Sequence, residues 1–430
     1  MIITKDNMRS EEDSISQLPD VLIHDILSHL STKDAVRTSV LATRWRNLWQ
    51  HVVGLDLKSR HFQNCSEFVS FTDRFFSYHK DSLISKVCLS ICDNLIITPW
   101  IDLVTARGIQ HLDIFFEIAY TLSLIPLSLY TCETLVRLRL AHVFLVNTEF
   151  VSLPCLKIMD LEVVRCPNEA TLEKLISGSL ALEDLKIFRY SVKVAKGLQV
   201  RSRTLKRIHL YTFYNVLIEA PLLQCLKTDV NLRNQFEIIH SGFLDKVDIF
   251  FYGVHHNDLG GRRLTRDILT AMSMVSDLFI RCSFWEEIIP YIFPDSKLQF
   301  CSLSRLTSQY IYLDLEMLLN LLQSCPKLES LNLLIGDASL VYRENREAKA
   351  MSSTVPPCLV SSLKFMELKS RIFVYEREMK LVKYFLENST ILEKLTISLR
   401  DDNSIKAKHV ILGEILAMQR CSSTCQVLVL

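Results

Sequence analysis

A short pattern, apolar-x-x-apolar-x-apolar, returns along most of this chain. It begins at Val52, Ile84, Ile109, Leu135, Leu156, Leu182, Leu205, Leu223, Leu244, Val275, Leu328, Leu363 and Leu392. Successive copies start 18 to 35 residues apart, except for one 53-residue interval after Val275, which has room for a degenerate copy near Ser304 to Leu315. The end of each copy, as in Leu138-Arg139-Leu140, alternates as a strand with one buried face must. Between copies the period changes. Leu172, Leu175 and Ile176 share one helical face with Gly178 placed to end it, and Leu315 to Leu322 offers a second such segment. Strand, turn, and helix or loop therefore alternate, and each unit covers its apolar side only by stacking on its neighbours. The expected fold is a curved α/β solenoid.

The same alternation defines an open face, because the residue between the last two apolar positions points away from the core. In chain order these residues are Asp56, Cys88, Asp113, Arg139, Asp160, Lys186, His209, Lys227, Asp248, Phe279, Asn332, Glu367 and Thr396. A row of mixed sign suits a protein or peptide partner, whereas a polyanion wants a continuous basic stripe. Asp113, Arg139, Asp160, Lys186, His209, Lys227 and Asp248 are the candidate target-binding residues.

Ahead of the repeats, Leu22, Ile23, Ile26, Leu27 and Leu30 recur one helical turn apart, with Pro19 suited to a helix start. Ser31 and Asp34 have capping-box spacing for a second helix through Ala35, Val36 and Val40. Trp45, Leu48 and Trp49 mark a short third one. Three helices in about 35 residues bury too little apolar surface to stand alone.

Leu18-Pro19, Ile26, Leu27, Leu30, Val36, Ser39, Leu41 and the run Arg44 to Trp49 resemble the F-box, the module that docks onto the Skp-type adaptor of SCF ubiquitin ligases. The repeat resembles the L-x-x-L-x-L core of leucine-rich repeats. Pro357-x-Leu359-x-Ser361-Ser362-Leu363, the Lys383 to Asn388 helix, the Leu392 to Ile397 strand and Ser422 to Cys425 resemble the FBD segment of plant F-box proteins. Leu127 to Val136 is similar to a signature repeat of that same family. The expected division is a disordered tail over 1–12, an F-box over 13–51, repeats over 52–352 and an FBD end cap over 353–430. The resemblance implies that Leu18, Pro19, Ile26, Leu27, Leu30, Val36, Leu41, Trp45, Leu48 and Trp49 meet the adaptor, and that cullin joins through it.

Composition narrows the function classes. With 49 Lys and Arg against 48 Asp and Glu, nothing pulls the whole chain toward nucleic acid or an anionic membrane. Only 10 glycines are present, and no Gly-rich phosphate loop or G-x-S-x-G elbow occurs. Residues 1–16 are too polar for a signal peptide, and the uncharged stretch from Ile118 to Cys132 is broken by Pro126 and too short to span a bilayer. Thirteen scattered cysteines fit reduced thiols, so a soluble intracellular protein of nucleus or cytoplasm is expected.

Cys88 with Cys92 and Cys421 with Cys425 lack a second ligand pair for zinc and read as packing residues. His24 and His29 diverge around a helix and read as surface residues. His255-His256-Asn257-Asp258 beside Gly260-Gly261 reads as a polar turn. The clusters Arg262, Arg263, Arg266 and Arg201, Arg203, Lys206, Arg207 lack aromatics for base stacking and read as solvated repeat edges. No catalytic residue, metal or cofactor is assigned. The expected function is target recognition for an SCF-type ligase, with two other readings open: a repeat scaffold that delivers no target, and an unrecognised hydrolase.

Overall fold

Each pattern copy closes on a β-strand, and the strands lie parallel. The computed structural model describes residues 15, 17–52, 54–78, 84–92, 95–117, 123–188, 197–211, 215–239, 242–253, 259–282, 298–310, 315–335, 354–370, 375–399 and 405–430. The tail over 1–12, the His255 to Asp258 segment and the 352/353 boundary lie outside them. Two compact units divide the chain, Met1–Leu182 and Glu183–Leu430.

In the first unit, strands Gly54–Lys58, Lys86–Ile91, His111–Phe116, Arg137–Ala141 and Ile158–Glu162 pair in sequence order. In the second, the order runs Asp184–Phe188, Arg207–Tyr211, Cys225–Asn231, Lys246–Tyr252 and Asp277–Cys282. It continues through Arg305–Tyr310, Ser330–Ile335, Phe365–Ser370, Lys394–Leu399 and Gln426–Val429. Arg305–Tyr310 is the degenerate copy in the long interval. Gln426–Val429 adds a strand beyond the last copy read from the pattern, and the C-terminal segment thus continues the same parallel sheet.

Alternation places the pattern's apolar residues in the core, where Leu138, Leu140, Met159, Leu161, Leu185 and Ile187 are fully buried. Where the pattern has Thr228 instead of an aliphatic residue, that side chain is buried too. Register is fixed by a recurring backbone fork: the carbonyl of Gln110 accepts from Val136 and Arg137, that of Glu183 from Lys206 and Arg207, and that of Glu329 from Lys364 and Phe365.

What covers the other side varies between copies, and interval length alone does not set it: Ile84 to Ile109 holds the helix Thr98–Ala106, and the practically equal interval from Ile109 to Leu135 the short strand Ser123–Ile125. Other intervals hold helices such as Cys65–Tyr78, Glu169–Ser177, Leu259–Ala271 and Tyr375–Asn388. Between Leu182 and Leu244, Leu198–Arg201, Val216–Glu219 and Phe236–Ile239 instead form a second small parallel sheet. Both helices read from the pattern are present, Glu169–Ser177 and Leu315–Gln323, the first capped by the Asn168 side chain accepting from Thr171 N. Gly178 ends the first helix at a right-handed φ of −77°, so it is not needed for a left-handed turn. Its reason is space: a Cβ there would sit 2.6 Å from the Val151 carbonyl oxygen. Gly260 and Gly261, expected in a turn, lie inside the Leu259–Ala271 helix. Among the described residues, no helix is long and apolar enough to cross a membrane.

Candidate functional site

The N-terminal module is helix α1, Asp20–Ser28, helix α2, Thr32–Arg37, and two 3-10 stretches, Thr38–Val40 and Thr43–His51. Pro19 stands at the N-cap, one residue earlier than expected, and its carbonyl accepts from Leu22 N at 2.9 Å. Ser31 caps α2 as its spacing predicts: its hydroxyl oxygen accepts from Asp34 N at 3.3 Å and its hydroxyl donates to Asp34 Oδ2 at 2.7 Å. The third helix is a 3-10 helix, held by Arg44 Nη2 against Asp20 at 2.7 Å. Trp49 then reaches out of the module to the Cys65–Tyr78 helix, with its ring 5.7 Å from Tyr78 edge-on and 6.4 Å from Phe75. Thr32 Oγ1 accepts from Asp56 N at 2.7 Å, tying α2 to the first strand.

The apolar stripe of α1 divides in two. Ile23 and Leu27 join Ala35 and Trp45 in a closed core, with Leu18, Ala42, Leu48, Trp49 and Val52 packed around it. Leu22, Ile26 and Leu30 stay exposed, and so do Val40 and Leu41 on the adjoining 3-10 turn. Two of the residues expected at an adaptor contact are therefore corrected: Leu27 is 0% and Trp45 4% exposed, so both already fill the module's own core and offer no surface. Pro19, Ile26, Leu30 and Leu41 are exposed, and Leu18, Val36, Leu48 and Trp49 half-buried. His24, expected at the surface, is half-buried with its ring 5.2 Å from that of His51.

The open strand face carries the row read from the sequence, in register. Asp56, Cys88, Asp113, Arg139 and Asp160 stand side by side in the first unit. Lys186, His209, Lys227, Asp248, Phe279, Thr307, Asn332, Glu367 and Thr396 do so in the second. Their charges are largely matched within the sheet. Arg139 lies 3.6 Å from Asp113, 3.8 Å from Asp160 and 3.7 Å from Glu162. Lys227 pairs with Asp248 at 2.8 Å, and Arg281 with the same Asp248 at 2.9 Å. Burial pushes the Asp113 carboxyl up in spite of Arg139, and pushes His209 down. Arg201, Lys206 and Arg207 each meet a carboxylate, Glu219 at 3.3 Å, Glu183 at 2.9 Å and Asp184 at 2.8 Å.

Comparison with known proteins resolves what this pairing of module and repeats is. The family model "F-box domain" matches residues 15–54, "FBD-associated F-box protein At5g56370, LRR repeats" matches 97–276, and "FBD" matches 351–397. The chain is 49% identical to F-box/FBD/LRR-repeat protein At1g51370 of Arabidopsis thaliana, over 99% of this chain and 98% of the relative. It is 50% identical to F-box/FBD/LRR-repeat protein At5g53840 of the same plant, over 98% and 96%. The chain belongs to the F-box/FBD/LRR-repeat family. F-box/LRR-repeat protein 13 of Arabidopsis thaliana is a further relative, 37% identical over 98% of this chain and 97% of the relative. Helices α1 and α2 thus lie within the F-box match, the strands from His111–Phe116 to Lys246–Tyr252 within the repeat match, and the Phe365–Ser370 strand with the Tyr375–Asn388 helix within the FBD match.

Within that frame the residues that reading one middle position per repeat misses stand two places further along each strand. Phe188, Tyr211, Asp229, Phe250 and Arg281 form that second row. In the F-box, Leu22 and Val40 are exposed, as Ile26, Leu30 and Leu41 are; the 3.6-residue period contained Leu22 but not its side. The cysteines divide as well. Cys425 packs inside, whereas Cys88 faces the open row with its thiol pushed up to about 11 by burial and Asp113, and Cys92 Sγ donates to Glu117 at 3.2 Å. Among the described residues, no group of three or more His, Cys, Asp or Glu side chains is placed to hold a metal.

Proposed function

We propose that the protein is a substrate-recognition subunit of an SCF-type ubiquitin ligase. The observation that carries this reading is that Leu22, Ile26, Leu30, Val40 and Leu41 stay exposed although the module's core of Ile23, Leu27, Ala35 and Trp45 is complete. Apolar side chains left outside a finished core mark a partner site. A helix face of this kind fits the groove of a Skp-type adaptor, through which cullin and the rest of the ligase assemble. Leu18, Pro19, Val36, Leu48 and Trp49 complete the proposed contact, with Leu27 and Trp45 in the core of the module.

Target capture falls to the open strand face of each unit: Asp113, Arg139 and Asp160 on that of the first, and Lys186, His209, Lys227 and Asp248 on that of the second. The chain contributes proximity rather than bond-making chemistry: holding the target beside the ligase raises the effective concentration of its lysines at the transfer site. It works wherever the soluble ligase does, in cytosol or nucleus. Affinity purification with degradation blocked tests the reading. Wild type should recover adaptor, cullin and target, and the Ile26→Asp/Leu30→Asp variant only the target. Equal adaptor recovery by the folded double variant would overturn it.

A further inference from the structure

The ring side chains on the open face of the second unit are concentrated on five neighbouring strands, Asp184–Phe188 to Asp277–Cys282. Phe188 and Tyr211 meet edge to face at 5.6 Å, and Phe250 stacks with Tyr252 at 5.8 Å. Phe279 stands in the adjoining row, beside Asp248. All of these rings are half-buried, so each keeps part of its surface in solvent. Further along the sheet the corresponding positions are polar or aliphatic: Thr307, Gln309, Asn332, Leu334, Glu367 and Lys369.

The charges between these rings cancel. Lys227 pairs with Asp248 at 2.8 Å, Asp248 with Arg281 at 2.9 Å, and Arg281 with Asp229 at 3.8 Å. This is a chain of alternating sign with no net charge. Arg281 is further held by its guanidinium carbon lying 5.4 Å from the ring centres of both Phe250 and Phe279. A charged ligand side chain arriving here has to displace one of these pairs and leave its partner uncompensated. A neutral ring loses nothing of the kind, and it finds ring faces and edges at stacking distance. Tyrosine, phenylalanine and arginine are also the residues that dominate binding energy where interfaces are desolvated.

We propose that this aromatic and self-neutralised patch, with Tyr211, Phe250, Tyr252 and Arg281 at its centre, is the anchor point for an uncharged aromatic side chain on an extended segment of the target protein. This deepens the reading of the strand face as the target surface and rests on it. The mixed charges of the middle row then act chiefly to hold repeat to repeat, while the rings two residues further along select the partner.

The test uses the full chain and three capped pentapeptides, glycine on either side of a central tryptophan, arginine or glutamate, with binding followed by saturation-transfer NMR. The tryptophan peptide should bind best, and Tyr211→Ala and Phe250→Ala should each weaken it by about tenfold. Asn332→Ala, on the same face but away from the rings, should leave it unchanged. The thermal midpoint of each variant identifies any that fails to fold, and Tyr211→Phe, which keeps the ring, should retain binding. Preference for the arginine or glutamate peptide, equal binding by the alanine variants, or no binding by any peptide would overturn the proposal. Adaptor affinity is measured separately and is insensitive to these substitutions. Peptide binding without adaptor binding would sink the ligase reading alone, and the converse would sink only the aromatic anchor.

Discussion

Arg139 shows at single-residue scale what a mixed row of charges does in stacked repeats. It is the shared counter-ion of Asp113, Asp160 and Glu162 on neighbouring strands, so Arg139→Ala leaves three half-buried carboxylates facing one another. Urea unfolding should show a loss of roughly 1–3 kcal/mol, the cost of partly buried polar groups deprived of their partner. Asp113, whose carboxyl burial already holds above the usual range, should protonate first as the pH falls. The mutational loss should therefore shrink toward acid pH, and a loss that stays constant contradicts the pairing. His209 titrates with the opposite consequence. Burial favours its neutral form, so its contribution to stability is complete above the ordinary histidine value and is lost as the pH falls through the depressed one. An NMR titration should place its midpoint below 6.5, and a midpoint at or above that value contradicts its burial. The row holding both residues was legible in the sequence because strand periodicity is strict. Some of the counter-ions were not: Glu162, which meets Arg139, and Arg281 and Asp229, which extend the Lys227–Asp248 pair, lie at positions the repeat pattern leaves unspecified.

At the scale of elements, α1 is the instructive case, since all five residues of its apolar stripe look alike in sequence. The structure separates them: Leu27 is core, and Ile26 beside it is surface. Leu27→Ala should destabilise the F-box by about 2–5 kcal/mol through the cavity it leaves. Ile26→Asp should leave the melting temperature of the free chain within a degree or so of wild type, as exposed substitutions do. Calorimetric melting of the two variants checks the division, and equal destabilisation would show that Ile26 also belongs to the core. A helical period locates a stripe but not its halves. What separates them is the packing of Ala35 and Trp45 from later elements against Ile23 and Leu27. The same limit applies to the coverage of the repeats, where the motif does not say whether a helix such as Thr98–Ala106 or a short strand such as Ser123–Ile125 follows.

For the whole chain, parallel pairing ties the FBD segment to the repeats strand by strand, with Phe365–Ser370 against Ser330–Ile335. Cys358 and Leu359 are buried, and Cys358 Sγ lies 3.9 Å from the Leu322 carbonyl. Truncation before Val355 should therefore expose the edge of Ser330–Ile335 and the apolar side of Leu315–Gln323, giving aggregated or protease-sensitive protein on gel filtration and limited proteolysis. A monomeric truncation that melts cooperatively contradicts this. The architecture itself was largely readable because stacking forces the same apolar spacing on every repeat. The exceptions are Arg305–Tyr310 and Gln426–Val429, where Ser308 and Thr424 stand at positions that the spacing makes apolar. The proposed ligase role rests on the exposed apolar residues of the F-box, and the most direct measurement is titration calorimetry of a purified Skp-type adaptor into the full chain. Fully burying an exposed leucine or isoleucine side chain stabilises by roughly 1.5–3 kcal/mol. Leu22→Asp/Ile26→Asp/Leu30→Asp should then lower affinity by at least about a hundredfold with the fold intact. Wild-type affinity in that variant, or no adaptor binding by the wild-type chain, would contradict the account.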